Sequence, residues 1–394
     1  MVELIALRSP ADLYAKSPEM FFAELITYVT FALGLWHARR NGPAHVLFFL
    51  IALCAASFVD PFCLISPQIR NYFHSHASVL MWDRHVAPWQ FPFFADLAYV
   101  GGAVVWALGL DLVSETLLVG FVASYTFYVF DVYACRWLLY QWHNQDPLYQ
   151  ARTLCVPLAS SMWVMTYSMT ASLLGRLGAR FVERHGLTWD AYTMAFALPA
   201  GVLVFLPLHI VPISLVYFPT YVAGQGSYAA VLGFGLACLA VAAVRTKAFA
   251  QRRPSDAALW IAVAQSAVWF GGCFSVLVLL DPGNVVSKCV HEPFGGASAA
   301  TSALCTETET YLFGLGVRKR YVCADELAWW RIAPDTDTGA LPLPGDERYT
   351  IRGLPMDDET FWHQARSIAL GVAVHAACFA LAATATKRKK SKQL

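Results

Sequence analysis

Charge is what this sequence has least of. Lys, Arg, Asp and Glu make up 14% of its 394 residues, against about 25% in ordinary soluble domains. With 57% hydrophobic residues and a mean hydropathy of +0.48, this composition excludes a soluble globule of the usual kind. A net charge of +1 leaves no electrostatic case for nucleic acid as a partner. Other absences narrow the chemistry. There is no Asn-x-Ser/Thr, so N-glycosylation is not expected. A phosphate loop, a His-Glu-x-x-His helix and a Gly-x-Ser-x-Gly elbow are all missing. His74 and His76 are too few for the histidine clusters of a membrane di-iron oxygenase. No cofactor is therefore expected, and metal-free acid–base chemistry, ligand binding or a structural role remain. Residues 1–19 hold Arg8, Asp12, Lys16 and Glu19 and no apolar run, so a cleavable signal peptide is not expected either.

What is abundant is apolar sequence in long runs. A helix needs about 17–25 apolar residues to cross a hydrocarbon core. Nine runs qualify: 20–37, 43–60, 91–110, 115–136, 154–175, 192–218, 228–244, 258–280 and 367–386. The expected fold is an all-α polytopic membrane bundle of about nine transmembrane helices, with a small β-leaning loop domain between the last two. Its parts are a lumenal segment 1–19, an eight-span domain 20–280, a lumenal loop domain 281–366, a last span 367–386 and a cytosolic basic tail 387–394. Ser17-Pro18-Glu19 reads as the start of the first helix: a capping hydroxyl, a first-turn proline and an acid near the positive end of the dipole. In the loop domain, Thr306–Tyr311 and Arg348–Ile351 favour strands.

The tail sets the topology. Lys390 and Lys392 stand where a dilysine retrieval signal of the endoplasmic reticulum places its lysines. Coat machinery would read such a signal on the cytosolic side, as an address rather than an anchor. An odd number of spans then puts the N-terminus in the lumen. The positive-inside rule agrees: Arg39-Arg40, then Arg176, Arg180 and Arg184, then Arg245, Lys247, Arg252 and Arg253 fall on the cytosolic side.

Carboxylates inside apolar runs cost about 2.5–3.5 kcal/mol at mid-membrane and are functional candidates for that reason. Glu24, Asp60, Asp96 and Asp131 lie in the first four spans, and this topology brings all four toward the lumenal leaflet. They are the candidate catalytic acids and bases around a polar, lumen-facing cavity. Arg84, His85, Arg136, His143, Asp146 and Arg152, in or beside the adjoining loops, are candidate substrate-binding residues. His209 joins them because Pro199, Pro207, Pro212 and Pro219 are expected to break its helix. Tyr125, Tyr128, Asp131 and Cys135 share one helical face, either as a cavity wall or as an interhelical seam. Of ten cysteines, Cys63, Cys289, Cys305 and Cys323 fall on the lumenal side and are disulfide candidates; sequence does not choose among their pairings.

The stretch Asp146-Pro147-Leu148-Tyr149 through Val156-Pro157-Leu158, Trp163 and Tyr167 resembles a motif of the carotenoid hydratase-type membrane proteins, over about 25 of 394 residues. In that family acidic residues are thought to protonate a polyene, so the resemblance implies chemistry near Asp146 or the lumenal acids. The whole chain looks more like an uncharacterised eukaryotic family of multi-pass membrane proteins. Two functional classes follow. One is acid–base chemistry on, or binding of, a lipid or isoprenoid within the membrane. The other is a non-enzymatic transporter or an assembly factor for membrane proteins.

Overall fold

A computed structural model describes residues 4–222, apart from 17, 67–68, 70–71, 75–76, 83–85, 137–138, 143–151 and 154–155. Beyond 222 it describes helical residues within 234–241 and 362–373 and four short strands between 286 and 352. Seven helices are described: α1 (Pro10–Lys16), α2 (Pro18–Asn41), α3 (Pro43–Ile65), α4 (Gln90–Trp106), α5 (Leu112–Arg136), α6 (Leu158–Arg184) and α7 (Ala191–Val222). The last six follow the first six apolar runs closely. The expected spans 228–244, 258–280 and 367–386 fall wholly or largely outside the described residues, so nine spans reduce to six long helices there.

Local chemistry sets the helix ends. The break between α2 and α3 is at Gly42, whose φ of 102° suits glycine alone, with Pro43 opening the next helix. Asp111 Oδ1 accepts from the backbone N–H groups of Val113 (3.1 Å) and Ser114 (3.3 Å) and so starts α5. Asp190 does the same for α7 through Thr193 N–H at 2.8 Å. Gly186, at φ 59°, closes α6.

Four helices are long and apolar enough to cross a membrane: Pro18–Asn41, Pro43–Ile65, Leu112–Ala134 and Thr193–Leu215. α4 and α6 fall short of that description for different reasons. At 1.5 Å per residue α4 is only about 25 Å long, and it is buried around almost all of its surface by α2, α3, α5 and α6. α6 is long, but Ser160, Thr166, Ser168, Thr170 and Ser172 lower its hydropathy, and those residues are buried against neighbours.

One expectation is corrected. Pro199, Pro207, Pro212 and Pro219 do not break their helix, and α7 runs continuously from Ala191 to Val222. A proline removes one backbone donor and can bend a helix, but the remaining hydrogen bonds hold where no water competes for them.

Short ribbons gather at one end of the bundle. β1 (Ile5–Leu7) pairs antiparallel with β3 (Val79–Met81) in the register Ile5↔Met81. β2 (Tyr72–His74) pairs with β4 (Tyr140–Trp142) through Tyr72↔Trp142. β5 (Arg152–Thr153) and β6 (Val156–Pro157) form a third pair just before α6. The N-terminal segment, the α3–α4 connection and the α5–α6 connection therefore share one end. Glu24, Asp60, Asp96 and Asp131 all lie within two helical turns of that end. In the later region β7 (Val286–Cys289) pairs with β10 (Tyr349–Arg352), and β8 (Thr308–Tyr311) with β9 (Gly316–Lys319).

The core divides along the helix axes. Beneath the ribbons, Trp89, Phe93, Phe130 and Tyr133 pack together. Toward the other end, Phe48, Phe49, Tyr99 and Trp106 form a second cluster. α4 and α5 approach closely at Gly101, where a Cβ would stand 3.0 Å from the Ala123 backbone.

Candidate functional site: an aromatic cavity beneath the ribbons

A cavity of about 60 Å³ lies where α3, α4, α5 and α6 meet the β2–β4 ribbon. A water needs roughly 10–15 Å³ on this measure, so there is room for several, or for a small polar head. Most of the wall is aromatic: Trp89, Phe93, Phe94, Phe127, Trp142 and Trp163. The ring of Phe93 packs 4.2 Å from that of Phe130 and 5.2 Å from that of Phe127, which fixes this wall.

Two polar side chains break the apolar surface. Asp60, on α3, is 3% exposed, and its Oδ2 has no hydrogen-bond partner among the described residues. Gln90, at the start of α4, is 1% exposed, and among the described residues both its amide nitrogen and its amide oxygen are without partners. Both residues line the cavity, as does Tyr72, which stands beside Asp60. Leaving one buried polar atom unpaired costs about 1–3 kcal/mol. Three such atoms gather at this one cavity.

Asp131 sits just behind the wall. Its Oδ1 accepts the Tyr140 hydroxyl, and its Oδ2 accepts Ser160 Oγ at 2.7 Å. Tyr140 and Ser160 both line the cavity. Asp131 thus fixes β4 and α6 to α5 and turns the Ser160 hydroxyl proton away from the cavity.

The other acids go elsewhere. Glu24 Oε1 accepts Ser78 N–H at 2.8 Å, which ties the connection before β3 to α2. Asp96 is fully buried on α4, electrostatically coupled to Tyr99, and is not among the cavity residues. Of the four candidate catalytic acids, Asp60 and Asp131 meet at one site; Glu24 and Asp96 do not join them.

His209 lies behind Trp163, the two rings 4.4 Å apart. Its Nδ1 is 3.0 Å from Thr166 Oγ1, and its Nε2 is unpartnered among the described residues. Cys63 is a free, buried thiol on the cavity wall. It lies inside α3 rather than in a connecting loop. Only the backbone of Cys289 is described, and Cys305 and Cys323 lie outside the described residues. Arg84, His85, His143, Asp146, Lys390 and Lys392 also lie outside them, while Arg136 and Arg152 are described by backbone alone.

A second polar cluster occupies the other half of the bundle. Tyr99 hydroxyl stands 2.7 Å from His37 Nδ1 and 2.9 Å from His45 Nδ1. One hydroxyl can donate to only one ring, so the other ring must present its N–H. Arg176 makes a bidentate ion pair with Glu115, at 2.6 and 2.8 Å, and lies over the Trp106 ring at 3.6 Å. Trp106 Nε1 donates to Ser172 Oγ at 2.8 Å. These contacts join α2, α3, α4, α5 and α6. Among the described residues, no group of three His, Cys, Asp or Glu is placed to hold a metal.

The chain matches a domain of unknown function, DUF7802, over residues 4–329. It belongs to that family. No curated protein and no solved structure matches it. The matched residues include all of α2–α7 and every described residue of the cavity, so the aromatic wall, Asp60 and Gln90 lie within the family's own domain.

Proposed function

We propose that this protein is a multi-pass membrane protein that takes the polar end of a lipid or isoprenoid into the cavity beneath the ribbons. The carrying observation is the set of unpaired atoms on Asp60 and Gln90 within an aromatic wall. The hydrocarbon part of such a ligand would lie against the rings, and its polar end would satisfy the free carboxyl oxygen and amide. Asp60 is also the group placed to exchange a proton with a bound ligand, since one of its oxygens faces the cavity unpaired. Asp131 is a positioning residue, its two oxygens occupied by Tyr140 and Ser160.

The likeness to the carotenoid hydratase-type proteins has one counterpart here. Trp163 of the motif lines the cavity, while Tyr167 lies behind it and donates to the Ala52 carbonyl. The membrane assignment draws support from the four apolar helices. Residence in the endoplasmic reticulum, with the ribbon end in the lumen, is proposed from Lys390, Lys392 and the arginines at the other end of the bundle.

The test is purification of the full chain in mild detergent, followed by extraction and mass spectrometry of bound lipid. The expected result is one amphiphile class enriched near stoichiometry, and its loss from the Asp60→Asn, Gln90→Leu double variant. The same bulk lipid mixture from both proteins would overturn the reading.

A further inference from the structure

The chemistry of the cavity selects among polar ends. Among the described lining residues there is no Lys, Arg or His, and Asp60 is the one carboxyl group. Among those residues nothing would neutralise a phosphate, sulfate or carboxylate. The hydrogen-bonding groups lean the same way. The Ser160 proton is committed to Asp131, so its oxygen can only accept from the cavity side. Asp60 Oδ2 and Gln90 Oε1 are further acceptors with no partner among the described residues. Around them stand Trp89, Trp142 and Trp163, the ring type whose face attracts cations most strongly. Tryptophan rings, a buried carboxyl and no cation among the described lining residues are the components of a cage for a positively charged nitrogen.

Resting on the function proposed above, we infer that the polar end held in this cavity is a cationic amine, carried by an amphiphile whose chain lies in the membrane. Asp60 pairs with the charge, Gln90 fixes orientation, and the tryptophan rings surround the remaining faces of the nitrogen. Cation–π contact is strongest where water is excluded, and the partners here are almost fully buried.

The experiment uses the full chain in lipid nanodiscs and follows tryptophan emission. Four probes are titrated: octylammonium, octanol, octyl sulfate and methylammonium. The expected result is saturable binding of octylammonium at least tenfold tighter than octanol, equivalent to about 1.4 kcal/mol, with octyl sulfate not binding. Asp60→Asn should erase the preference for the amine while leaving octanol binding intact, and Trp163→Leu should weaken the amine more than the alcohol. An unchanged thermal midpoint confirms that each variant is folded. Equal affinity for amine and alcohol would overturn the inference and leave the lipid reading standing. No saturable binding of any probe would overturn both. Methylammonium binding as tightly as the octyl compound would uphold the cation cage and overturn the lipid as its source.

Discussion

At the scale of single residues, the same side-chain type does different work according to what it meets. Asp60 and Asp131 are both buried near one end of the bundle, yet among the described residues one has an unpartnered oxygen and the other has two occupied ones. Asp131→Asn replaces an acceptor oxygen with an N–H₂ that faces a hydroxyl proton. It should cost about 1–3 kcal/mol of stability, read as a lower thermal midpoint in detergent. Asp60→Asn should leave that midpoint nearly unchanged, and the reverse order would contradict the assigned roles. Thr166→Val is a separate case: it strips His209 of its one described partner and should destabilise by a similar 1–3 kcal/mol. The acids were legible in the sequence because charge in an apolar run stands out. Gln90, Ser160 and Tyr140 were not, since neutral polar residues at helix starts or in short strands are common. Only the meeting of α3, α4, α6 and β4 gives them meaning.

At the scale of elements, apolar periodicity located α2 to α7 well because a buried helix needs a long unbroken apolar run. It could not show that α4 is sheathed by protein rather than lipid, since both surroundings accept the same side chains. The ribbons leave no signature because strands of two or three residues carry no period, and the four prolines do not mark breaks because α7 runs through them. Packing between elements gives two further expectations. Gly101→Val would drive a side chain into the Ala123 backbone and should cost roughly 1–3 kcal/mol as overpacking. A thermal-shift assay reads this directly. The ion pair between Glu115 and Arg176 holds α5 to α6, with Glu115 only 3% exposed. Glu115→Gln should cost about 3–5 kcal/mol, because it leaves a largely buried guanidinium without its partner, and the further change Arg176→Met should recover part of that loss. No recovery in the double variant would show that the pair is itself net stabilising.

At the scale of the whole molecule, two polar centres lie toward opposite ends of one bundle. Beneath the ribbons is an aromatic cavity with unpaired polar atoms. In the other half, His37, Tyr99, His45, Trp106, Arg176 and Glu115 form a network of hydrogen bonds, ring contacts and an ion pair that joins the helices. The network had no signature in sequence because its members come from five helices and meet only through their packing. The proposed topology makes the two ends accessible from opposite sides of the membrane. Cysteine placed at Leu4, on the ribbon end, should react with an impermeant thiol reagent only after sealed microsomes are opened. Cysteine at Leu187, on the connection after α6, should react without opening, and labelling of both in sealed vesicles would refute this sidedness. Likewise, changing Lys390 and Lys392 to serine should release the protein from the endoplasmic reticulum if that tail is its address.

The most direct test of the cavity's role is photocrosslinking in cells. The photoreactive residue p-benzoylphenylalanine is placed at position 163, on the cavity wall, and separately at position 203, where Leu203 is 75% exposed on the outer face of α7. The account predicts a discrete amphiphile adduct from position 163, absent when Asp60 is also changed to asparagine, and only heterogeneous adducts from position 203. The same mixture from both positions, or none but internal crosslinks at 163, would contradict it.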